Sequence, residues 1–321
     1  MRREGVRLWT ALWIVYIAWG STYVAIKIAV RTLPPLLTAG TRFLAAAAIL
    51  AGIVLVARRS LRVEPREALG AAGVGVALLA LGVGLVHVAE TRIDSGVAAM
   101  IAGSVPLQIV VWRLAAGERV PRQTVIAALV GLVGLALVVG PESFSGGATA
   151  VGLLIMLTAS ISWSSGSYAS RWVRLPKDPL VATVYEMLGG GLVLTTAAIA
   201  AGELADLDAE ALAPGPIAAW GYLAVVGSVL GFTSYVWLLD NAPISQVVTH
   251  QYVNPLVAVA LGALILDERP GPTTLAGAAL IVGAVVVTAR SEGPRAPEPQ
   301  PAATPRRAFG ARRGTRADRN A

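Results

Sequence analysis

Chemistry in this chain is confined to a few polar residues set among apolar ones. Gln246, His250 and Asn254 recur at i, i+4 and i+8, a spacing that lays all three along one face of a helix. Such a stripe can hydrogen-bond a solute or pass a proton through His250. A neutral histidine bonded between helices is the structural alternative. Two prolines stand deep in apolar runs, Pro106 and Pro255. Each removes a backbone donor and frees the carbonyl four residues earlier, that of Ala102 or Gln251, which makes both candidate hinges beside a binding site, or packing kinks. Arg42 and Glu186 are charges within apolar stretches. For Arg42 a structural role is expected, capping carbonyls or meeting an acidic partner. Glu186, the one carboxylate well inside an apolar run, joins His250 as a candidate for proton coupling.

Aromatic residues supply a second kind of surface. Trp19, Tyr23 and Lys27 share a helical face, and Trp163 and Tyr168 echo them later in the chain. Rings of this kind suit amphipathic or planar solutes through dispersion and cation–π contact, although packing is an equally good use for them. Gln108 and Tyr235 are further polar spots that could line a cavity. The candidate binding set is therefore Trp19, Tyr23, Gln108, Trp163, Tyr168, Tyr235, His250 and Asn254. Lys27 is close enough to a helix end to snorkel, and His87 is expected at an interface. Gly227 and Gly231 form a small-xxx-small pair suited to close helix packing.

The absences are as informative. With no cysteine and two histidines, thiolate metal sites, Fe–S clusters and cysteine nucleophiles are excluded. No zinc-protease, P-loop or dinucleotide motif occurs, so no catalytic residue, metal or cofactor is expected. The net charge of +7 sits mostly in loops and ends, without interleaved aromatics, and nucleic acid is not an expected partner.

The elements that must position these residues are membrane spans. Hydrophobic residues make up 55% of the chain and charged ones 14%, with a mean hydropathy of +0.68. A bilayer core needs roughly 20 apolar residues per helix. Ten runs qualify, at 8–30, 35–56, 68–88, 94–115, 121–139, 149–170, 178–201, 216–239, 244–266 and 272–289. The first lacks a convincing signal-peptidase site and is expected to be retained. An N-terminus inside puts arginine-rich loops at 58–66, 113–122 and 171–177 and the basic tail on the cytoplasmic side, against Arg31, Arg92 and Arg269 outside. That is the positive-inside pattern, with both termini cytoplasmic. Residues 291–321, rich in Pro, Arg, Ala and Gly, are expected to be disordered.

The two halves also echo each other. Trp19-Gly20-Ser21-Thr22-Tyr23 returns as Trp163-Ser164-Ser165-Gly166-Ser167-Tyr168, Ser104-Val105-Pro106-Leu107 as Val253-Asn254-Pro255-Leu256, and Gly117-Glu118-Arg119 as Asp267-Glu268-Arg269. Five spans per copy is odd, so the second copy enters the membrane inverted, the logic of secondary transporters. With Arg42-Phe43-Leu44 in the second span, these motifs make the chain resemble the EamA-type members of the drug/metabolite transporter superfamily over about residues 8–290. The resemblance implies a ten-helix carrier with a cavity between the halves, moving small metabolites or drugs, often outward.

The expected protein is thus an all-α polytopic membrane protein of the cell (inner or plasma) membrane, ten helices in two inverted repeats, 8–145 and 146–290, between a cytoplasmic N-terminus at 1–7 and a basic tail at 291–321. Its expected function is alternating-access transport of a small molecule at a midplane site. Its expected partners are the solute and the bilayer, with a second copy in a homodimer as an option. A lipid-active or enzymatic membrane protein is one alternative, for which Ser164, Ser165 and Ser167 lack a recognisable base nearby in sequence. A non-transporting receptor or scaffold is the other.

Overall fold

Prolines punctuate the fold of this chain, a computed structural model describing residues 2–30, 32–93, 98, 101–139, 150–205, 207, 213–254, 256–257 and 271–291. Pro35, Pro65, Pro179, Pro214 and Pro272 each open a helix, where the missing N–H is no loss and the fixed φ is already helical. The helices are α1 (Arg2–Ala29), α2 (Pro35–Val56), α3 (Pro65–Glu90), α4 (Val105–Ala115), α5 (Arg122–Val139), α6 (Ala150–Trp172), α7 (Pro179–Ala200), α8 (Pro214–Asn241), α9 (Ile244–Val247) and α10 (Pro272–Ser291). They fall on the ten expected runs. Five of them, α2, α3, α6, α7 and α8, are long and apolar enough to cross a membrane.

The outside of the bundle is apolar and much of its polarity is inside. Trp13, Ile17, Leu114, Val133, Leu154 and Leu192 are exposed, while Arg42, His87, Glu186 and His250 are buried. That inversion suits lipid as the surrounding solvent, where polar side chains and backbone groups must be satisfied within the protein. His87, expected at an interface, is fully buried.

Packing crosses between the repeats. α1 lies on α8, α6 on α3, α2 on α7, and α5 on α10. Glycines let these backbones approach. A methyl on Gly134 would lie 2.9 Å from the Gly277 carbonyl oxygen between α5 and α10, and one on Gly75 only 1.9 Å from that of Glu186 between α3 and α7. Gly227 and Gly231 of α8 pack against Thr22 and Trp19 of α1, as small residues at a close crossing should.

Three departures from the expected spans bear on function. First, α3 and α8 each contain a π-helical stretch, Val76–Gly84 and Leu223–Phe232, at corresponding places in the two repeats. Second, the fourth span is broken at Gly103-Ser104, so Pro106 stands in the first turn of α4 rather than within an unbroken helix. A proline fits there because the first turn has no donor to lose. Third, the ninth span turns at Val248-Thr249 after α9 and is helical again over 250–254.

Candidate functional site

The two halves jointly line a cavity of about 130 Å³ that is open at its mouth. The first repeat contributes Trp19, Thr22, Arg42, Phe43 and Gly82 to its lining, and the second contributes Ser160, Trp163, Phe232, His250 and Asn254.

Its floor is a cluster of rings. Trp19 lies 5.4 Å from Trp163, 5.1 Å from Tyr235 and 4.8 Å from His250, and Trp163 lies 5.3 Å from Tyr235, centroid to centroid. The π-helical stretches make room for both tryptophans. A methyl on Gly82 would lie 3.0 Å from the Trp163 ring, and one on Gly231 2.5 Å from Trp19 Nε1. They also offer backbone acceptors. Trp19 Nε1 donates to the Gly227 carbonyl at 2.9 Å, and the Ser162 hydroxyl to that of Ala77 at 2.9 Å. Wide π turns are rare and recur at functional sites.

Polar atoms buried around this space lack hydrogen-bond partners among the described residues. The His250 ring is fully buried, with Nδ1 3.0 Å from the Val247 carbonyl, so Nδ1 donates and Nε2 is left as an acceptor with no protein partner. Asn254 Oδ1 is likewise buried and unbonded. Arg42, expected to cap carbonyls or meet a carboxylate, does neither among the described residues. Its guanidinium lies 4.6 Å from the Phe43 centroid, with Nε and Nη1 unbonded.

Arg42 and Glu186 sit on adjacent antiparallel helices but do not meet. Gly40 faces Thr195 and Leu44 faces Gly191, a register that sets Arg42 opposite position 193, seven residues or about 10 Å from Glu186. Glu186 is buried behind the cavity, near Tyr235 and Asp240, with Oε2 unbonded.

Other candidates lie elsewhere. Gln108 is consumed in a weld between α4 and α6, donating from Nε2 to Ser104 at 2.8 Å and Ser160 at 2.7 Å and accepting at Oε1 from Ser164 at 2.7 Å. Trp112 Nε1 donates to the same Ser164. The break before α4 is part of this weld, since the Ile101 carbonyl accepts from the hydroxyls of Ser104 and Ser160. Tyr235 belongs to the ring cluster, and its hydroxyl is bonded to that of Ser167 at 2.6 Å. Gln246 is buried beside the start of the ninth span, outside the lining. The Tyr23 and Lys27 side chains, Pro255 and the tail lie outside the described residues.

Tyr168 stands apart from the cavity, in a knot at the end of the bundle where α4 and α6 finish. Its hydroxyl donates to Glu118 Oε1 at 2.6 Å; Arg113 Nε donates to Glu118 Oε2 at 3.0 Å, and Arg171 also pairs with Oε1. Arg113 Nη1 reaches Ser245 of α9 at 2.6 Å. Gly117 aims the carboxylate. Its φ of +76° closes α4 and brings the Glu118 N–H onto the Arg113 carbonyl at 2.9 Å, turning Glu118 back toward the bundle. The knot joins both repeats across one end, whereas the cavity-lining residues Ile26, Val86, Ala98 and Met156 lie toward the other. As isolated letters Arg113 and Arg171 give no sign of the knot, nor Ser160 of the cavity wall; only tertiary contacts mark them.

The profile of the EamA-like transporter family matches residues 8–140 and again 150–290. The chain belongs to the EamA-like transporter family. This EamA-like chain is 36% identical over 287 residues to the uncharacterized inner membrane transporter YedA of Escherichia coli (strain K12), covering 89% of this chain and 91% of that protein. It is 27% identical to the chloroplastic WAT1-related protein At3g02690 of Arabidopsis thaliana, over 90% of this chain and 71% of that protein. Protein PecM of Dickeya dadantii (strain 3937) is 28% identical over 84% of this chain and 88% of its own length. A solved crystal structure shares the fold with a TM-score of 0.74 at 20% identity, over 90% of this chain and 97% of that one. The chain is therefore a multi-pass membrane protein of a transporter family.

Proposed function

We propose that this protein is a secondary carrier that exports a small metabolite or drug by alternating access, with both termini cytoplasmic. The reading is supported chiefly by one arrangement: a ring-floored cavity built from both repeats, with the Glu118 knot across one end of the bundle. Under the positive-inside reading of the arginine-rich loops that end is cytoplasmic, which would make this a conformation with the inner end closed and the cavity in the outer half. Breaking the knot and rocking one repeat against the other would expose the same cavity inward. Glycine-mediated crossings supply the smooth contacts such a motion needs. The outward direction follows what the family resemblance implies. Glu186 and His250 are the candidates for coupling transport to protons, Glu186 because a buried carboxylate beside the ring cluster could bind and release one. Trp19, Trp163, His250 and Asn254 are the proposed solute contacts, with Tyr235 backing the rings from behind the lining, and Gln108 acts through the wall it welds.

The test is untargeted mass spectrometry of the medium around cells expressing wild type, Asn254→Leu or empty vector. A compound class accumulating outside only with wild type supports export through this cavity. Accumulation with both proteins removes Asn254 from the site, and no difference from vector counts against export.

A further inference from the structure

We propose that Arg42 is an anion anchor and that the solute is an organic monoanion, a carboxylate attached to a planar and largely apolar body. The inference rests on the carrier reading of the cavity and names its substrate class.

The argument begins with an uncompensated charge. Arg42 is 5% exposed and lines the cavity, yet it has no ion pair and no hydrogen bond among the described residues, and two of its nitrogens are buried and unbonded. Contact with Phe43 offsets part of the cost, and a ring quadrupole is a weaker partner than a carboxylate. His87, within electrostatic range of Arg42, brings no negative charge. A guanidinium buried without its counter-charge is expensive, and no carboxylate pairs with Arg42 among the described residues. The expense is accounted for if an incoming ligand supplies the anion.

The rest of the lining narrows the class. Among the described lining residues Arg42 is the one arginine or lysine, and none is acidic. One fixed positive charge matches a monoanion; a phosphate dianion would leave charge over, and a cationic solute would meet no carboxylate. Trp19 and Trp163 offer flat faces for an apolar body. His250 Nε2 and Asn254 Oδ1 are unbonded acceptors that suit an N–H or O–H on the same solute. The planar guanidinium presents two parallel donors to a carboxylate, a geometry lysine does not reproduce.

The test uses three matched pairs of probes, benzoate and benzamide, 2-naphthoate and 2-naphthamide, and indole-3-acetate and indole-3-acetamide. Binding is measured to the full chain in nanodiscs at neutral pH. Wild type should bind the carboxylate about tenfold or more tightly than its amide in at least one pair. Arg42→Gln should bring that ratio to near one, and Arg42→Lys should keep part of it. The wild-type ratio needs no variant, so a misfolded Arg42→Gln, seen by gel filtration, does not rescue a missing preference. Equal binding within every pair, no binding of either member, or a preference that survives in folded Arg42→Gln overturns the proposal. Flux of the same pairs in proteoliposomes separates the two readings. Carboxylate preference in binding without flux of any probe keeps the anchor and removes the carrier, while flux without preference keeps the carrier and removes the anchor.

Discussion

Replacing Glu118 by glutamine should open the end of the bundle that the knot closes. The carboxylate accepts from Arg113 Nε at 3.0 Å, from Tyr168 at 2.6 Å and from Arg171, and its side chain is 28% exposed against 12% and 20% for the two arginines. Partial exposure discounts each contact toward the surface range, about 0.5–1 kcal/mol. The loss is then about 2 kcal/mol. If the knot forms only when the inner end is closed, that energy shifts the closed-to-open ratio by about 30-fold. The chain has no cysteine, so single-cysteine reporters can be placed in the native sequence. Ser170 is buried beside the knot, and Ser160 is buried in the cavity wall. With Glu118→Gln added, maleimide should label Ser170→Cys faster and Ser160→Cys more slowly in detergent. Opposite movement of the two rates is the signature of alternating access. Unchanged rates would refute the gate, and acceleration at both sites would mean general loosening instead.

Gly75→Ala should destabilise the bundle, because the added methyl would sit 1.9 Å from the Glu186 carbonyl oxygen and α3 and α7 must part by about 1.5 Å to restore ordinary contact. Roughly 1–3 kcal/mol or more is expected, read as a lower unfolding temperature in detergent; Gly73→Ala, two residues earlier with no atom within 4 Å, should be neutral or slightly stabilising. Glu186→Gln should abolish solute accumulation driven by a proton gradient while leaving solute exchange across proteoliposomes intact, and gradient-driven accumulation persisting in the variant would end its coupling role.

Much of the frame was legible in the chain. Helix positions follow from runs of apolar residues long enough to span lipid, bounded by prolines that open helices and by glycines such as Gly117 that close them. The echo of Trp19 in Trp163 located the ring floor, since repeated motifs in two copies fall on equivalent helices. His250 and Asn254, read from i, i+4 spacing, line the cavity. The break at Gly103-Ser104 was not legible, because the Ile101 carbonyl before it accepts not only from Ser104 but from Ser160, a residue of another helix. Nor were the π stretches, which contain no proline and read as ordinary apolar helix.

Sequence by itself determined which segments cross the membrane and that they form two related halves, because those properties depend on composition and order along one chain. Only the tertiary structure decided which polar groups are spent and which remain open. Gln108 and Asn254 are both amides deep in spans, yet Gln108 is held by three serines and Asn254, which lines the cavity, keeps a buried Oδ1 without a partner among the described residues. Tyr168 is drawn to Glu118, and Arg42 is separated from Glu186 by helix register. Spacing fixes a side chain's direction about its own helix axis; how that helix is rotated and which neighbour it meets are set by packing between helices far apart in the chain.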